Sequence, residues 1–316
     1  MIAKRVASRA AWVLVLGALG GTVFGQTTQP AEITGDWKAL MDVGGPKLRL
    51  VLHVTKTGAS YAASLDSLDQ AALGLAVDTL RRDGTHLHFE MTQLSAHFDG
   101  DWNPASSQFE GLWTQGPATF PVAWKQAPAG SRQEKPVSND DRLYLVTYLQ
   151  KTRDDLLRTI AHLTPAQWTF KADPSRWSIA ECVEHLVREE QTMFQAVTRT
   201  VVRIPLPDDQ ARSGHEQDRR IIQFMTDRSQ KMNAAEAVQP HGKLATVEEG
   251  IAEFSKARSA TIDWVTATPI DLRAYGTPNP DFHYLDAYGY WILVAAHSAR
   301  HTAQIAEVMS AAGYPR

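Results

Sequence analysis

The hydrophobic pattern of the chain changes period once, between Gln126 and Val137, and this change constrains the fold more than any other feature. From Ile33 to Lys125 the pattern is that of strands. His86-Leu-His-Phe-Glu-Met91 alternates with period two, and Leu48-Arg-Leu-Val-Leu-His-Val54 is rich in β-forming residues. Turn signals at Gly44-Gly45-Pro46, Thr57-Gly58, Asp83-Gly84 and Asn103-Pro104 separate such runs. Residues 126–137 (QAPAGSRQEKPV) have no periodicity and contain two prolines, so they read as a linker. Beyond them the pattern is helical. The expectation is an α+β chain with a β-rich domain over 33–125 and a helical domain over 138–316.

A short phrase recurs three times in the first half: Ile33-Thr-Gly-Asp-Trp37, Phe98-Asp-Gly-Asp-Trp102 and Phe109-Glu-Gly-Leu-Trp113. On a strand its first, third and fifth residues share one face, so two large apolar groups flank a glycine that admits a close neighbour or a bend. That suits a curved antiparallel barrel or sandwich. In the second half, Ser138 caps a helix whose stripe includes Leu145, Leu149, Leu156, Ile160 and Leu163. Capping boxes stand at Thr164–Gln167, Ser178–Glu181 and Thr246–Glu249. The second opens a helix expected to reach about Val202. A further helical stretch spans Gln217–Met232, and a last helix runs from about Leu285 to Met309. Four long amphipathic helices with shorter ones between them make a bundle.

The N-terminus has the parts of a secretory signal: Lys4, Arg5 and Arg9, then an apolar stretch from Ala10 to Leu19, then Val23-Phe24-Gly25 before a cut at Gln26. Residues 1–25 are therefore expected to be removed. Even Ala10 to Phe24 as a helix reaches only about 22 Å, short of a hydrocarbon core of roughly 30 Å. The expected destination is outside the cytoplasm, periplasmic or secreted, with no stable membrane span after removal. Loss of this segment takes the net charge from -3 to -6. That leaves no basic field for a polyanion, so nucleic acid is not expected as a partner. The single cysteine, Cys182, excludes an intramolecular disulfide and any cysteine-rich zinc module. It falls on an apolar stripe and reads as a small core residue.

No Gly-x-Ser-x-Gly elbow, phosphate-binding glycine loop or His-Glu-x-x-His motif is present. His215-Glu216 begins like the last, but Arg219 stands where the second histidine belongs. Histidine placement is what remains. His297 and His301 stand four residues apart on the last helix, about 6 Å apart at Cβ and within the stripe of Val294, Ile305 and Val308. Two imidazoles on a core stripe need partners, and a shared metal satisfies both at once. A pair alone favours two buried imidazoles bonded to nearby side chains. His185, at the flank of its own helix's stripe, supplies a third ligand if that helix faces the last one. Zinc and other borderline divalent metals accept such a set.

Trp177-Ser178-Ile-Ala-Glu-Cys-Val-Glu-His185-Leu186, followed by His297-Ser-Ala-Arg-His301-Thr-Ala-Gln304-Ile305, resembles the DinB-like metal-binding four-helix bundle family over about Ser138 to Tyr314. The resemblance implies His185, His297 and His301 as ligands of a zinc or nickel ion. It also implies activity as a thiol-dependent transferase or isomerase, or as a metal-dependent hydrolase. The first half resembles the lipocalin-like β modules that precede the catalytic domains of exported bacterial hydrolases, through Gly35-Asp-Trp37 and Ser64-Leu-Asp-Ser-Leu-Asp-Gln-Ala-Ala-Leu-Gly74.

Around the three histidines, Glu189 is read as a carboxylate that orients His185 or as a solvated helix-face acid. Arg300 and Gln304 are read as packing or substrate contacts, and Tyr290 as core filling or pocket wall. His53, His86, His88 and His97 are read as ordinary strand residues. Two functions stay open: an exported metalloenzyme acting on a small molecule, and a small-ligand-binding protein with a structural metal. Hydrolysis is favoured over thiol transfer because the low-molecular-weight thiol cosubstrates are mainly cytoplasmic. A homodimer is left open.

Overall fold

The computed structural model describes residues 32–45, 47–58, 60–128, 137–210 and 213–316. The expected signal, 1–25, and most of the expected linker lie outside them. Nine antiparallel strands form the first half: β1 (Gly35–Asp42), β2 (Lys47–Thr57), β3 (Ser60–Ser67), β4 (Ala72–Val77), β5 (Thr79–Asp83), β6 (His86–Met91), β7 (Ala96–Asn103), β8 (Gln108–Gln115) and β9 (Ala118–Gln126). Their order is β4-β3-β2-β1-β9-β8-β7-β6-β5. The edges at β3–β4 and β5–β6 come back into contact, so the sheet is a nearly closed barrel.

Two copies of the repeated phrase meet across β7 and β8. Gly100 on β7 stands opposite Gly111 on β8, which sets Phe98 against Trp113 and Trp102 against Phe109. A Cβ on Gly111 would lie 2.0 Å from the Asp99 carbonyl oxygen, so the two strands approach closer than any side chain allows. Trp37 from the first copy packs its ring 5.2 Å from Phe109 and donates from Nε1 to the Ile33 carbonyl at 2.8 Å. With Phe89 and Trp124, these rings fill the interior. On the outer face His86, His88 and His97 stand opposite Asp101, Asp99 and Glu90, the cross-strand neighbours that period two dictates, and the rings pair with Asp101 and Asp99.

The second half is the expected bundle. Its long helices are α1 (Asn139–Ile160), α3 (Ile179–Arg199), α5 (Val247–Ala267) and α6 (Ala287–Met309), with α2 (Pro165–Trp168) and α4 (His215–Thr226) shorter. Helix α6 packs on α1, α3 and α4, while α5 closes the ring against α1 and α3. All three capping boxes form with both reciprocal bonds. Cys182 is wholly buried, which pushes its thiol pKa up to about 12.

Three boundaries differ from expectation. Helix α3 ends at Arg199 and passes into a single tight turn, Val201–Arg203. Helix α4 stops at Thr226 rather than Met232, because the Asp227 carboxylate accepts the Ser229 N–H at 2.8 Å and offers the backbone a turn instead. The third lies before α6, where strands β10 (Gly276–Asn279) and β11 (His283–Asp286) form a hairpin in a half expected to be all helix. The Asn279 side chain holds its turn by accepting the Asp281 and Phe282 N–H groups. Four-residue strands are too short to show a period.

The barrel docks on the bundle through this region. Arg49 on β2 pairs with Asp69 at 2.7 Å and donates to the Pro205 carbonyl at 2.6 Å, while the Tyr284 hydroxyl on β11 donates to Asp69 at 3.1 Å. Beneath them Val51 and Leu68 bury against Ile204.

Candidate metal centre

Ser178 fixes where α3 begins, so His185 falls two turns into it on the face turned to α6. Asp286 fixes the start of α6 by accepting the Gly289 N–H at 2.6 Å, and the 3.6-residue period then brings His297 and His301 to one face. Arg258 on α5 holds the two helices in register. It pairs through Nε and Nη2 with both oxygens of Glu190 on α3 and donates from Nη2 to Ser298 Oγ, the neighbour of His297, at 2.7 Å.

The structure brings His185, His297 and His301 together, with one ring nitrogen from each within 4.8 Å of the others. His297 Nε2 stands 3.3 Å from His185 Nε2 and 3.0 Å from His301 Nε2. His185 donates from Nδ1 to the Val238 carbonyl at 2.8 Å, so in the neutral ring Nε2 carries a lone pair aimed at the centre. His297 Nε2 has one in-plane direction and two nitrogen neighbours. It satisfies at most one of them by hydrogen bonding and leaves lone pairs opposed at the other. His301 Nδ1 is buried with no hydrogen-bond partner among the described residues. A divalent cation among the three Nε2 atoms removes the conflict. Ligands 2.0–2.1 Å from a tetrahedral ion stand about 3.3 Å apart, close to the 3.3 and 3.0 Å that His297 Nε2 makes with the other two, within a set that spans up to 4.8 Å. The donor set therefore fits a metal.

Burial lowers the pKa of all three imidazoles. His297 is taken down to about 3, reinforced by His185, and His301 falls well below 6.5, reinforced by His297. The rings are thus neutral ligands at ordinary pH. Protons compete for them only below the pH of about 6.5 that free imidazole would suggest. Trp177 covers the cluster, its ring 4.8 Å from His185 and 6.0 Å from His301.

The cluster forms part of the wall of a cavity of about 810 Å³, closed on another side by the segment after α4. Glu189 lines it with a carboxylate that has no hydrogen-bond partner among the described residues, and burial, then Glu190, raises its pKa. Glu189 does not orient His185; the Val238 carbonyl does. Arg300 also lines the cavity and donates to the carbonyls of Met225, Asp227 and Gln230, which pins the segment after α4. Gln304 lies on the wall and accepts from Arg228 Nη1 at 3.4 Å. Tyr290, read as a pocket-wall candidate, is not on it. Two turns before His297, it is hydrogen-bonded through its hydroxyl to Thr277 Oγ1 on β10 at 2.8 Å.

Sequence reasoning missed the Val238 carbonyl and the cations Arg176, Arg228 and Lys231 on the cavity wall. A backbone acceptor leaves no residue-type signal. Arg228 and Lys231 fall in the stretch 217–232 expected to be helix, but the helix stops at Thr226, so helical spacing does not place them, and Arg176 lies before the capping serine of α3. Trp177 had a signal, its place before the capping serine of α3.

No curated protein matches the chain. A solved structure that matches it is of YfiT from Bacillus subtilis, described as a probable metal-dependent hydrolase with an unusual four-helix bundle topology. It is 14% identical, with a TM-score of 0.37, and the match covers 60% of this chain and 97% of that one. The family model described as DinB superfamily matches residues 148–305, from within α1 through His297 and His301 on α6. The chain belongs to the DinB superfamily.

Proposed function

We propose that the protein is an exported metal-dependent hydrolase of small molecules, with a zinc or nickel ion held by His185, His297 and His301. The observation that carries this reading is the convergence of three ring nitrogens on the wall of a cavity of small-molecule size. When bound, a divalent ion supplies Lewis acidity, polarising a carbonyl and making water nucleophilic at neutral pH. The Val238 carbonyl holds the His185 tautomer, and Trp177 keeps water off one side of the cluster. Glu189 takes and returns a proton at its free carboxylate. Thiol transfer at the same site is the second reading. The alternative of a carrier loses its seat in the barrel, whose interior is filled by tryptophan and phenylalanine rings.

Turnover of a panel of esters, amides and lactones tests the proposal. At least one should be hydrolysed, with activity lost on chelation and restored by zinc or nickel. Glu189→Gln should lower kcat by about 10²-fold or more while the metal stays bound. Turnover that survives complete metal removal would contradict the reading. Among the described residues no helix is long and apolar enough to cross a membrane. Export rests on the charged and apolar N-terminal pattern, and exported material should begin at Gln26 by intact mass.

A further inference from the structure

Four cationic side chains line the cavity beside the histidine cluster, Arg176, Arg228, Lys231 and Arg300, against one carboxylate, Glu189. This is a local excess in a chain whose net charge is -3. Arg300 is only 4% exposed, yet all its hydrogen-bond partners are backbone carbonyls, so a buried guanidinium stands without a carboxylate bonded to it. Buried charges are ordinarily paired. Arg228 and Arg176 share a single carboxylate, that of Glu307. Arg228 reaches it from Nε at 3.0 Å and Nη2 at 2.8 Å, and Arg176 from Nη2 at 3.2 Å. The bidentate grip fixes the Arg228 fork, and Gln304 steadies its Nη1 edge. Lys231 has no ion pair among the described residues. A cleft lined by one sign of charge concentrates ligands of the other, and low-dielectric walls strengthen the effect.

We infer that the cavity binds a small organic anion bearing a carboxylate or phosphate group, held by Arg228, Lys231 and the field of Arg300 while its reacting end meets the histidine cluster. The inference deepens the proposed hydrolase by naming its substrate class, and it rests on that reading for the reaction. The anion is small because a cavity of about 810 Å³ has the size of a metabolite site.

Calorimetric titration of the full mature chain tests it, with metal content measured on every sample. The probes are succinate, its neutral counterpart succinamide, and inorganic phosphate, each against metal-free and zinc-loaded protein. Succinate or phosphate should bind the metal-free protein at least about tenfold tighter than succinamide, the worth of one charge-assisted contact. The tighter of the two names the group. Arg228→Gln should weaken the anion about tenfold. Lys231→Gln, a change at an exposed and unpaired side chain, should weaken it with zinc content unchanged. Equal affinity for succinamide, no anion binding, or anion affinity untouched in both variants would overturn the inference. A protein that binds anions but no metal would refute the hydrolase alone.

Discussion

Removing the carboxylate of Glu190 should cost the bundle more than any single change at the cavity. Arg258 is fully buried and Glu190 is 2% exposed. The guanidinium uses every donor: Nε and one Nη2 hydrogen on Glu190 at 2.9 and 2.8 Å, and the others on Leu149 O, Thr152 Oγ1 and Ser298 Oγ at 3.0, 2.9 and 2.7 Å. One side chain of α5 thus ties α1, α3 and α6. Glu190→Leu leaves that charge buried without a counter-ion, a loss of about 3–5 kcal/mol. Against a total of about 5–15 kcal/mol the loss is severe, and for a unit of this size it lowers Tm by about 6–20 °C. Glu190→Leu with Arg258→Met removes both charges and should recover most of the loss. Urea unfolding followed by far-ultraviolet circular dichroism measures all three variants. A Glu190→Leu loss below about 1 kcal/mol, or a double variant as unstable as the Glu190→Leu and Arg258→Met singles added, would mean that the pair does not neutralise a buried charge.

Gly111→Ala forces a Cβ to within 2.0 Å of the Asp99 carbonyl and 2.4 Å of Gly100 Cα, and should destabilise the barrel by about 1–3 kcal/mol. Near-ultraviolet dichroism of the barrel tryptophans should melt earlier, and an unchanged melt would count against the close approach. Burial pulls the His53 pKa down, but its hydrogen bonds to Asp36 and Asp66 outweigh that and raise it above 6.5. Its stabilising contribution is therefore full below about pH 6.5 and lost as pH rises through the raised value. His53→Gln should flatten that part of the Tm–pH curve, and an identical curve would sink the linkage. Limited proteolysis should cut first within 126–137, whose composition cannot form a core, and nicking within Ser178–Val201 beforehand would argue against that boundary.

What was legible in the sequence was what repeats or caps. Period two placed Leu87, Phe89 and Met91 inside the barrel, and the second and third copies of the aromatic–glycine phrase marked where β7 and β8 come closest, while Gly35 of the first copy has no atom nearer than 3.9 Å to the place of a Cβ. Ser178–Glu181 located α3, which located His185, and the four-residue step located His297 against His301. What was hidden depends on contacts made across the chain. The Arg258–Glu190 pair joins residues 68 apart, and the Val238 carbonyl that orients His185 lies 53 residues away on a segment with no pattern. Arg300, on a helix whose face was known, turned inward because the carbonyl of Met225 in the last turn of α4 and those of Asp227 and Gln230 after it accept its hydrogen bonds.

On this reading three histidines from α3 and α6 hold one divalent ion. This is tested most directly by the metal content of the purified mature chain beside His185→Ala, His297→Ala and His301→Ala, measured by plasma mass spectrometry with helical dichroism as the control for folding. The parent should carry one zinc or nickel ion per chain, each variant should lose most of it, and the bundle should stay intact in all four. A parent chain that takes up no metal when offered zinc and nickel, or three variants that keep the full complement, would contradict it.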